Sequence, residues 1–265
     1  MLEARDLSVV YPGPPRFVAV DQVSLCLPAG TTVGLVGESG SGKSTIAKAM
    51  VGLGPVTAGG VHLDDHVVLS PRRRHRRRPM ADLGVQLVFQ DPHASLNPRM
   101  SVGDTLREAA ALRRTGRDAV EARVGDVLDL VGLAPEHLGR YPHQMSGGQL
   151  QRVAIARALA VEPAYLLLDE VTASLDVSVQ ARILNLLRRL QRELGFAMLY
   201  ISHDLSVIRY VSDHVYVMRH GRLVEHGPAE AVFEQPTTEY TRQLLAAVPR
   251  LGGNRWQSTS LQEIP

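Results

Sequence analysis

The segment GESGSGKST, residues 37–45, has the residue types and the spacing of a phosphate-binding loop. From Gly37 to Ser44 it fits the pattern G-x-x-x-x-G-K-[S/T], between a predicted strand and a predicted helix. Its glycines let successive backbone N–H groups face phosphate oxygens, while Lys43 reaches the β- and γ-phosphates and Ser44 offers its hydroxyl to Mg²⁺. The predicted nucleotide contacts are Gly37, Ser39, Gly40, Ser41, Gly42, Lys43, Ser44 and Thr45.

Two adjacent acids end another apolar run, LLLDE, at residues 166–170. Ligands of α/β proteins bind at the carboxyl edge of the sheet, so a strand that ends here brings both acids to that edge. We expect Asp169 to hold Mg²⁺ through water and Glu170 to orient or deprotonate an attacking water. A strand end that only meets solvent explains one acid better than two. The predicted reaction is therefore phosphoryl transfer, with water as the acceptor.

A second segment, MSGGQ at residues 145–149, has the features of a different phosphate site. Ser146 is a favourable helix cap, Gly147 and Gly148 remove side chains that would block close approach, and the N-terminus of the following helix favours an anion. A nucleotide held by the first loop does not require this second site within the same chain.

Together, MSGGQ, the phosphate loop and LLLDE resemble the nucleotide-binding subunit of ABC transporters, over roughly residues 2–250. The resemblance implies that two such subunits pair head to tail and that they bind and hydrolyse ATP with Mg²⁺. Each ATP would lie between the phosphate loop of one subunit and the signature helix of the other. Ser146, Gly147, Gly148 and Gln149 would then bind the nucleotide of a second ATPase subunit.

The same resemblance implies roles for four further residues. Tyr11 matches the aromatic residue that stacks on adenine, and Asp176, in ASLD, matches the aspartate that communicates across the dimer. Gln90 matches the glutamine that contacts magnesium and water and couples to the membrane subunit. His203, in ISHD, matches the histidine that touches the γ-phosphate. The expected catalytic residues are therefore Glu170, His203 and Gln90, and the expected magnesium ligands are Ser44, Gln90 and Asp169.

The chain departs from the family pattern at three places. Val171 stands where proline usually follows the two acids, Met145 replaces leucine or phenylalanine, and ASLD replaces the commoner SALD. None of these departures removes a charge or a required glycine. We therefore expect catalysis to be retained.

Two further segments, FQDPHASLNPR and PTTEYTRQLLAAVP, resemble the importer branch for oligopeptides, dipeptides and nickel. That resemblance implies two transmembrane permease subunits as partners and, indirectly, a substrate-binding protein. The chain carries no cysteine-rich C-terminal extension, which suits the second ATPase of a heterodimeric pair, although a homodimer stays open. The alternatives are a non-transport ABC ATPase, such as a phosphonate-cleavage accessory protein, and a nucleic-acid-acting one.

The composition is that of an ordinary globular protein, with 45% hydrophobic and 21% charged residues in 265. No apolar run is long enough to cross a bilayer, the first residues are too polar for a signal peptide, and the single Cys26 excludes an internal disulfide. With the family resemblance, this predicts a peripheral protein on the cytoplasmic face of the cell membrane. The net charge is only +2, so we interpret RRRHRRR at residues 72–78 as a solvated loop and expect no nucleic-acid partner.

Alternating apolar strands and amphipathic helices predict an α/β fold with a mainly parallel sheet covered on both faces. The resemblance adds a P-loop core of the ABC type with an antiparallel β subdomain. Helical periodicity from Ser101 to about Leu138 predicts a helical subdomain, about 101–145, inserted into one nucleotide-binding domain, 1–250. The remaining residues, 251–265, are predicted to form a loose tail. The predicted elements are strands at 2–11, 17–27, 61–69 and 84–89, a helix at 178–194, and a hairpin that turns at residues 220–221.

Overall fold

The computed structural model describes residues 1–71, 80–113 and 115–247. Within these ranges the strands are β1 Leu2–Tyr11, β2 Phe17–Leu27, β3 Thr32–Val36, β4 Ala58–Leu63, β5 His66–Leu69, β6 Val85–Val88, β7 Tyr165–Asp169, β8 Ala197–Ser202, β9 His214–Arg219 and β10 Arg222–Pro228. The helices are α1 Lys43–Met50, α2 Pro92–Ser95, α3 Val102–Ala111, α4 Arg117–Leu130, α5 Gly147–Leu159, α6 Val177–Leu194, α7 Leu205–Val211, α8 Ala229–Glu234 and α9 Glu239–Ala246. The basic run at 72–78 and the predicted tail at 251–265 lie outside the described residues.

Among the described residues, six strands form one sheet in the order β10–β9–β3–β8–β7–β6. Neighbouring strands from β9 to β6 are parallel, and β10 runs antiparallel to β9. The segments that follow β3, β6, β7 and β8 therefore meet at one edge of the sheet, where α/β proteins bind their ligands. This arrangement confirms the predicted α/β fold with a mainly parallel sheet.

Both faces of the parallel sheet are covered. In β8, Leu199 and Ile201 belong to a core shared with α1 and the antiparallel strands, whereas Met198 and Tyr200 belong to a core beneath α5 to α8. Alternate residues of a strand point to opposite faces, so a strand buried on both sides is apolar throughout. This explains why the strand sequences LLL and AMLYI show no polar alternation.

A second sheet of the described chain is antiparallel, in the order β2–β1–β4–β5. The predicted strand region at 61–69 is divided in the structure by a tight turn at Asp64 and Asp65, whose φ values are 47° and 66°. Two successive residues with positive φ match the right-handed twist of an antiparallel hairpin. The turn lets β4 and β5 pair at the edge of the antiparallel sheet.

Helices α2, α3 and α4 lie between β6 and β7 in the chain, ahead of α5. Leu106 of α3, Val127 of α4 and Ile155 of α5 are fully buried in one core. Helix α5 therefore completes the core of the helical segment, although it lies outside the predicted range 101–145. That range itself remains a prediction.

Arginine side chains tie these helices together through backbone carbonyl groups. Arg157 of α5 donates to the carbonyl of Ser95 at 2.6 Å, and Arg123 of α4 donates to the carbonyl of Leu159 at 2.6 Å. The last carbonyl groups of a helix receive no hydrogen bond from within the helix, so they need a donor from outside it.

In the part of the chain that the structure describes, no helix is both long and apolar enough to cross a membrane.

Candidate functional site

The phosphate loop connects β3 to α1 and follows the path that its glycines permit. Gly40 has φ 77° with open space around its Cα, so its backbone conformation is what favours glycine there. A Cβ at Gly37 would lie 2.1 Å from the carbonyl oxygen of Met218, and one at Gly42 would lie 2.4 Å from that of Ala19. Neighbouring strands therefore pass too close to these two positions for any side chain.

Lys43 occupies the centre of this loop. Its ammonium donates to the carbonyl oxygens of Gly37 and Glu38, each at 2.8 Å. Burial lowers the pKa of Lys43, and the nearby carboxylates of Glu170 and Asp169 oppose that shift. The loop thus presents one buried cation where the sequence predicts bound phosphates. Of the other predicted contacts, Ser39 and Gly40 are exposed, Ser41 is buried, and Ser44 and Thr45 are half-buried at the start of α1.

Asp169 ends β7 beside the loop and is only 4% exposed. Its carboxylate accepts a hydrogen bond from the Ser44 hydroxyl at 2.8 Å. Burial raises the pKa of Asp169, the Ser44 hydrogen bond lowers it, and the charge of Glu170 raises it further. The structure therefore brings together two of the three residues predicted to bind magnesium.

The oxygen atoms of Ser44 and Asp169 fit a magnesium ion that is shared with a nucleotide. Mg²⁺ is usually bound by one or two carboxylates together with waters and substrate phosphates. Among the described residues, no group of three or more His, Cys, Asp or Glu side chains forms a metal site by itself. Since Asp169 is a buried carboxylate beside a second acid, a cation at this position would also offset their mutual repulsion.

Glu170 lies between the other two predicted catalytic residues. Its Oε2 is 3.2 Å from Nδ1 of His203, which follows β8, and 3.5 Å from Nε2 of Gln90, which follows β6. The His203 side chain is 56% exposed and the Glu170 side chain only 14%. Gln90, Glu170 and His203 therefore form one cluster at the carboxyl edge of β6, β7 and β8, with the carboxylate at its centre.

The backbone at Glu170 is held in an uncommon conformation. Its φ is 49°, in the left-handed region that non-glycine residues rarely adopt, and its N–H donates to the carbonyl of Ile201 at 3.0 Å. Such a conformation persists where the surrounding structure enforces it, and it is concentrated at functional sites. It turns the Glu170 side chain out of the strand direction of β7 and towards His203 and Gln90.

Tyr11 ends β1 and pairs across the hairpin with Phe17 of β2. Residues directly opposite each other in an antiparallel pair share one face, and these two rings are 38% and 59% exposed. The sequence analysis named Tyr11 and did not anticipate that Phe17 lies beside it. The turn sequence YPGPPRF, which places both aromatics at the ends of one hairpin, was the available signal.

The predicted second phosphate site begins helix α5. The Ser146 hydroxyl accepts from the Gln149 N–H at 3.3 Å, and the Gln149 side-chain oxygen accepts from the Ser146 N–H at 3.0 Å. This reciprocal pair is a capping box, so the Gln149 side chain stabilises the start of its own helix. Ser146 and Gly147 are exposed. Among the described residues, no hydrogen bond joins this helix start to the phosphate loop.

Gly148 lies in a tight contact within this chain. A Cβ there would lie 2.6 Å from Cγ1 of Val179, whereas one at Gly147 would come no closer than 3.6 Å to Leu175. Val179 lies at the start of α6, which Asp176 caps by accepting from the Val179 N–H at 2.9 Å. The structure thus places the predicted dimer residue Asp176 next to the MSGGQ segment. The approach of a phosphate to both glycines stays a prediction.

Two segments in the C-terminal part of the described chain contact the phosphate loop. The sequence analysis did not predict these contacts. The N–H of Gly221, in the turn between β9 and β10, donates to the Ser41 carbonyl at 3.0 Å. The N–H of Glu38 donates to the hydroxyl of Tyr240, on α9, at 3.4 Å. These contacts join residues far apart in sequence, and no local pattern predicts them.

Comparison with known proteins identifies the family. Residues 20–173 match the family model described as ABC transporter. The putative peptide import ATP-binding protein BAB2_1053 of Brucella abortus is 48% identical over 251 residues, which cover 93% of this chain and 74% of that protein. The oligopeptide transport ATP-binding protein OppF of Bacillus subtilis is 43% identical over 254 residues, covering 94% and 82%.

A solved structure shows the same fold. The dimeric ATP-binding cassette MJ0796, in a post-hydrolysis state bound to ADP and phosphate, superposes with a TM-score of 0.74 at 26% identity. The match covers 86% of this chain and 99% of that one. The family match and the relatives indicate an ATP-binding subunit. The clustering of Lys43, Asp169 and Glu170 fits the same conclusion. This chain belongs to the ABC transporter family and is one of its ATPases.

Proposed function

We propose that this chain is the ATP-hydrolysing subunit of an importer for peptides. The observation that carries the proposal is the Glu170 carboxylate, placed between His203 and Gln90 at the same sheet edge as the phosphate loop. The cargo class comes from the relatives, whose names specify peptide and oligopeptide import. They favour peptides over nickel, the other cargo that the sequence interpretation left open.

Five residues of the site have proposed parts in this reaction. Lys43 exchanges its bonds to loop carbonyls for bonds to the β- and γ-phosphate oxygens, which are charged acceptors and therefore stronger. Ser44 and Asp169 would hold magnesium, which supplies a positive charge that stabilises the transferred phosphoryl group. Glu170 accepts a proton from the attacking water or orients it, and His203 contacts the γ-phosphate.

We further propose that two such subunits pair head to tail. In this chain the helix start at Ser146 and Gly147 is exposed, and Val177, next to Asp176, is 80% exposed. An apolar residue this exposed beside a helix start that favours anions suits a surface covered by a second ATPase subunit. The nucleotide on that subunit's phosphate loop would complete its site with Ser146–Gln149 of this chain, and Tyr11 would stack on the adenine of this chain's own ATP.

The proposed partners beyond the ATPase pair are two transmembrane permease subunits and, through them, a substrate-binding protein. Gln90 joins the catalytic cluster to α2 and the helical segment, which makes this region the proposed contact with a permease. The proposed location is accordingly the cytoplasmic face of the membrane.

Purification of the tagged chain from detergent-solubilised membranes of its source organism tests the transport assignment. We expect two membrane permeases and a second ATPase to copurify with it. Recovery of only soluble enzymes, such as carbon–phosphorus cleavage proteins, would contradict the assignment while leaving the ATPase activity in place. The Lys43→Ala variant serves as a control, because its permease contacts are unchanged while its nucleotide site is lost.

A further inference from the structure

The phosphate loop is supported by the last helix of the described chain. Tyr240, in the first turn of α9, is only 6% exposed, and its hydroxyl oxygen accepts from the Glu38 N–H at 3.4 Å. Glu38 also provides one of the two carbonyls that hold the Lys43 ammonium. The Tyr240 hydroxyl therefore bonds to the backbone of Glu38, the same residue whose carbonyl holds Lys43, and the Lys43 ammonium is the group that is expected to bind phosphate.

The ring of Tyr240 is fixed from the side of the β9–β10 hairpin. The guanidinium of Arg219, at the end of β9, lies 4.6 Å from the ring centroid, within the range of a cation–π contact. Burial raises the pKa of Tyr240, so its hydroxyl stays neutral. The same hairpin donates the Gly221 N–H to the Ser41 carbonyl at 3.0 Å. Helix α9 thus contacts the loop at Glu38, and the hairpin contacts it at Ser41.

A buried carboxylate anchors α9 to this hairpin. Glu225 of β10 accepts from the N–H groups of Thr237 and Thr238 at 2.7 and 3.1 Å and from the Thr238 hydroxyl at 2.8 Å. Burial acts to raise the pKa of Glu225, but hydrogen bonds from Thr241, Thr237 and Thr238 outweigh it and lower the pKa to about 2. The start of α9 is therefore tied to β10 by a carboxylate that remains ionised.

We propose that Tyr240 is a positioning residue that holds the phosphate loop in its nucleotide-binding shape, and that Glu225 places it there by anchoring α9. This inference rests on the proposed ATP site at the same loop. The family model matches residues 20–173, so Tyr240 and Glu225 both lie outside the matched part of the chain. A loop that is already ordered loses less conformational freedom when the nucleotide binds, and its affinity for nucleotide is correspondingly higher.

The Tyr240→Phe variant tests this role, because it removes only the hydroxyl. Tyr210→Phe is a matched control: on α7, the Tyr210 ring centroid lies 4.5 Å from the Arg188 guanidinium, and the Tyr210 hydroxyl donates to Asn185 of α6 rather than to a group of the loop. Binding of Mg-ATPγS is measured by calorimetry on the full chain. We expect the Kd to rise about two- to fivefold for Tyr240→Phe, as for one lost hydrogen bond, and to stay unchanged for Tyr210→Phe.

Hydrogen exchange of the nucleotide-free protein provides a second readout, because a change confined to residues 37–43 separates loop positioning from a loss of overall stability. We expect faster exchange across residues 37–43 in Tyr240→Phe and in Glu225→Gln, and an unchanged rate there in Tyr210→Phe. Unchanged affinity and exchange in Tyr240→Phe would overturn the positioning role, as would equal weakening by both tyrosine variants. Failure of the unmodified chain to bind Mg-ATPγS would instead overturn the proposed ATP site.

Discussion

Replacing Gly148 with alanine tests the packing between the starts of α5 and α6. The added Cβ would lie 2.6 Å from Cγ1 of Val179, well inside the ordinary contact distance of 3.4–4 Å. Overpacking of this kind costs about 1–3 kcal/mol, and alanine recovers at most about 1 kcal/mol through its helix propensity. We expect a net loss of about 1–2 kcal/mol, which lowers the Tm by about 2–8 °C in a domain of this size.

Gly147→Ala is the matched control, since its Cβ comes no closer than 3.6 Å to Leu175. Its Tm should stay unchanged or rise slightly. Val179→Ala in the Gly148→Ala background should remove the clash, so a double-mutant cycle measured by urea unfolding should give a coupling of at least about 1 kcal/mol. The packing interpretation would be refuted if Gly148→Ala were as stable as Gly147→Ala, or if the cycle showed no coupling.

Three further predictions concern single side chains. Lys43→Ala should abolish Mg-ATP binding in calorimetry while the folded structure is retained, because it removes the cation that binds phosphate and no apolar core packing; hydrolysis at the native rate would contradict the loop assignment. His203→Ala should lower kcat far more than ATP affinity in steady-state kinetics, because its contact matters most as charge shifts in the transition state; unchanged kcat with weakened binding would contradict this. The pKa of Glu225 is lowered from 4.5 to about 2, so its contribution to stability, about 3 kcal/mol, is complete above pH 4.5 and is lost as the pH falls through about 2. In acid unfolding, the stability difference between the native chain and Glu225→Gln should shrink over that interval; a difference that stays constant down to pH 2 would count against the anchor.

Local patterns predicted the elements of the nucleotide site well. The helix predicted at 178–194 is observed at Val177–Leu194, with Ile183, Leu187 and Leu190 buried along one side. The strand before the two acids is also observed, ending at Asp169. Each of these signals depends on the spacing of neighbouring residues, which a single sequence displays directly.

Contacts between distant segments were not predictable in the same way. Gln90, Glu170 and His203 meet because β6, β7 and β8 are adjacent parallel strands, and that strand order is set by packing of the whole sheet. Tyr240 contacts a residue 202 positions earlier in the chain. The tight contact at Gly148 is with Val179 on another helix, so no local pattern displays it.

The dimerisation of a Glu170→Gln variant tests most directly whether the two phosphate sites serve two different nucleotides. The variant keeps the shape of the pocket but lacks the acid that polarises water, so bound ATP should persist and hold two subunits together. Size-exclusion chromatography with and without Mg-ATP, on the chain alone and with its copurified ATPase partner, measures this association. We expect an ATP-dependent dimer.

Adding Ser146→Arg should abolish that dimer, because the bulky side chain fills the space for the partner's γ-phosphate at the exposed start of α5. The resulting monomer should still bind Mg-ATP in calorimetry, since its own phosphate loop is unchanged. If the double variant loses nucleotide binding as a monomer, Ser146–Gln149 serves the nucleotide of its own chain, and the head-to-tail pairing is wrong.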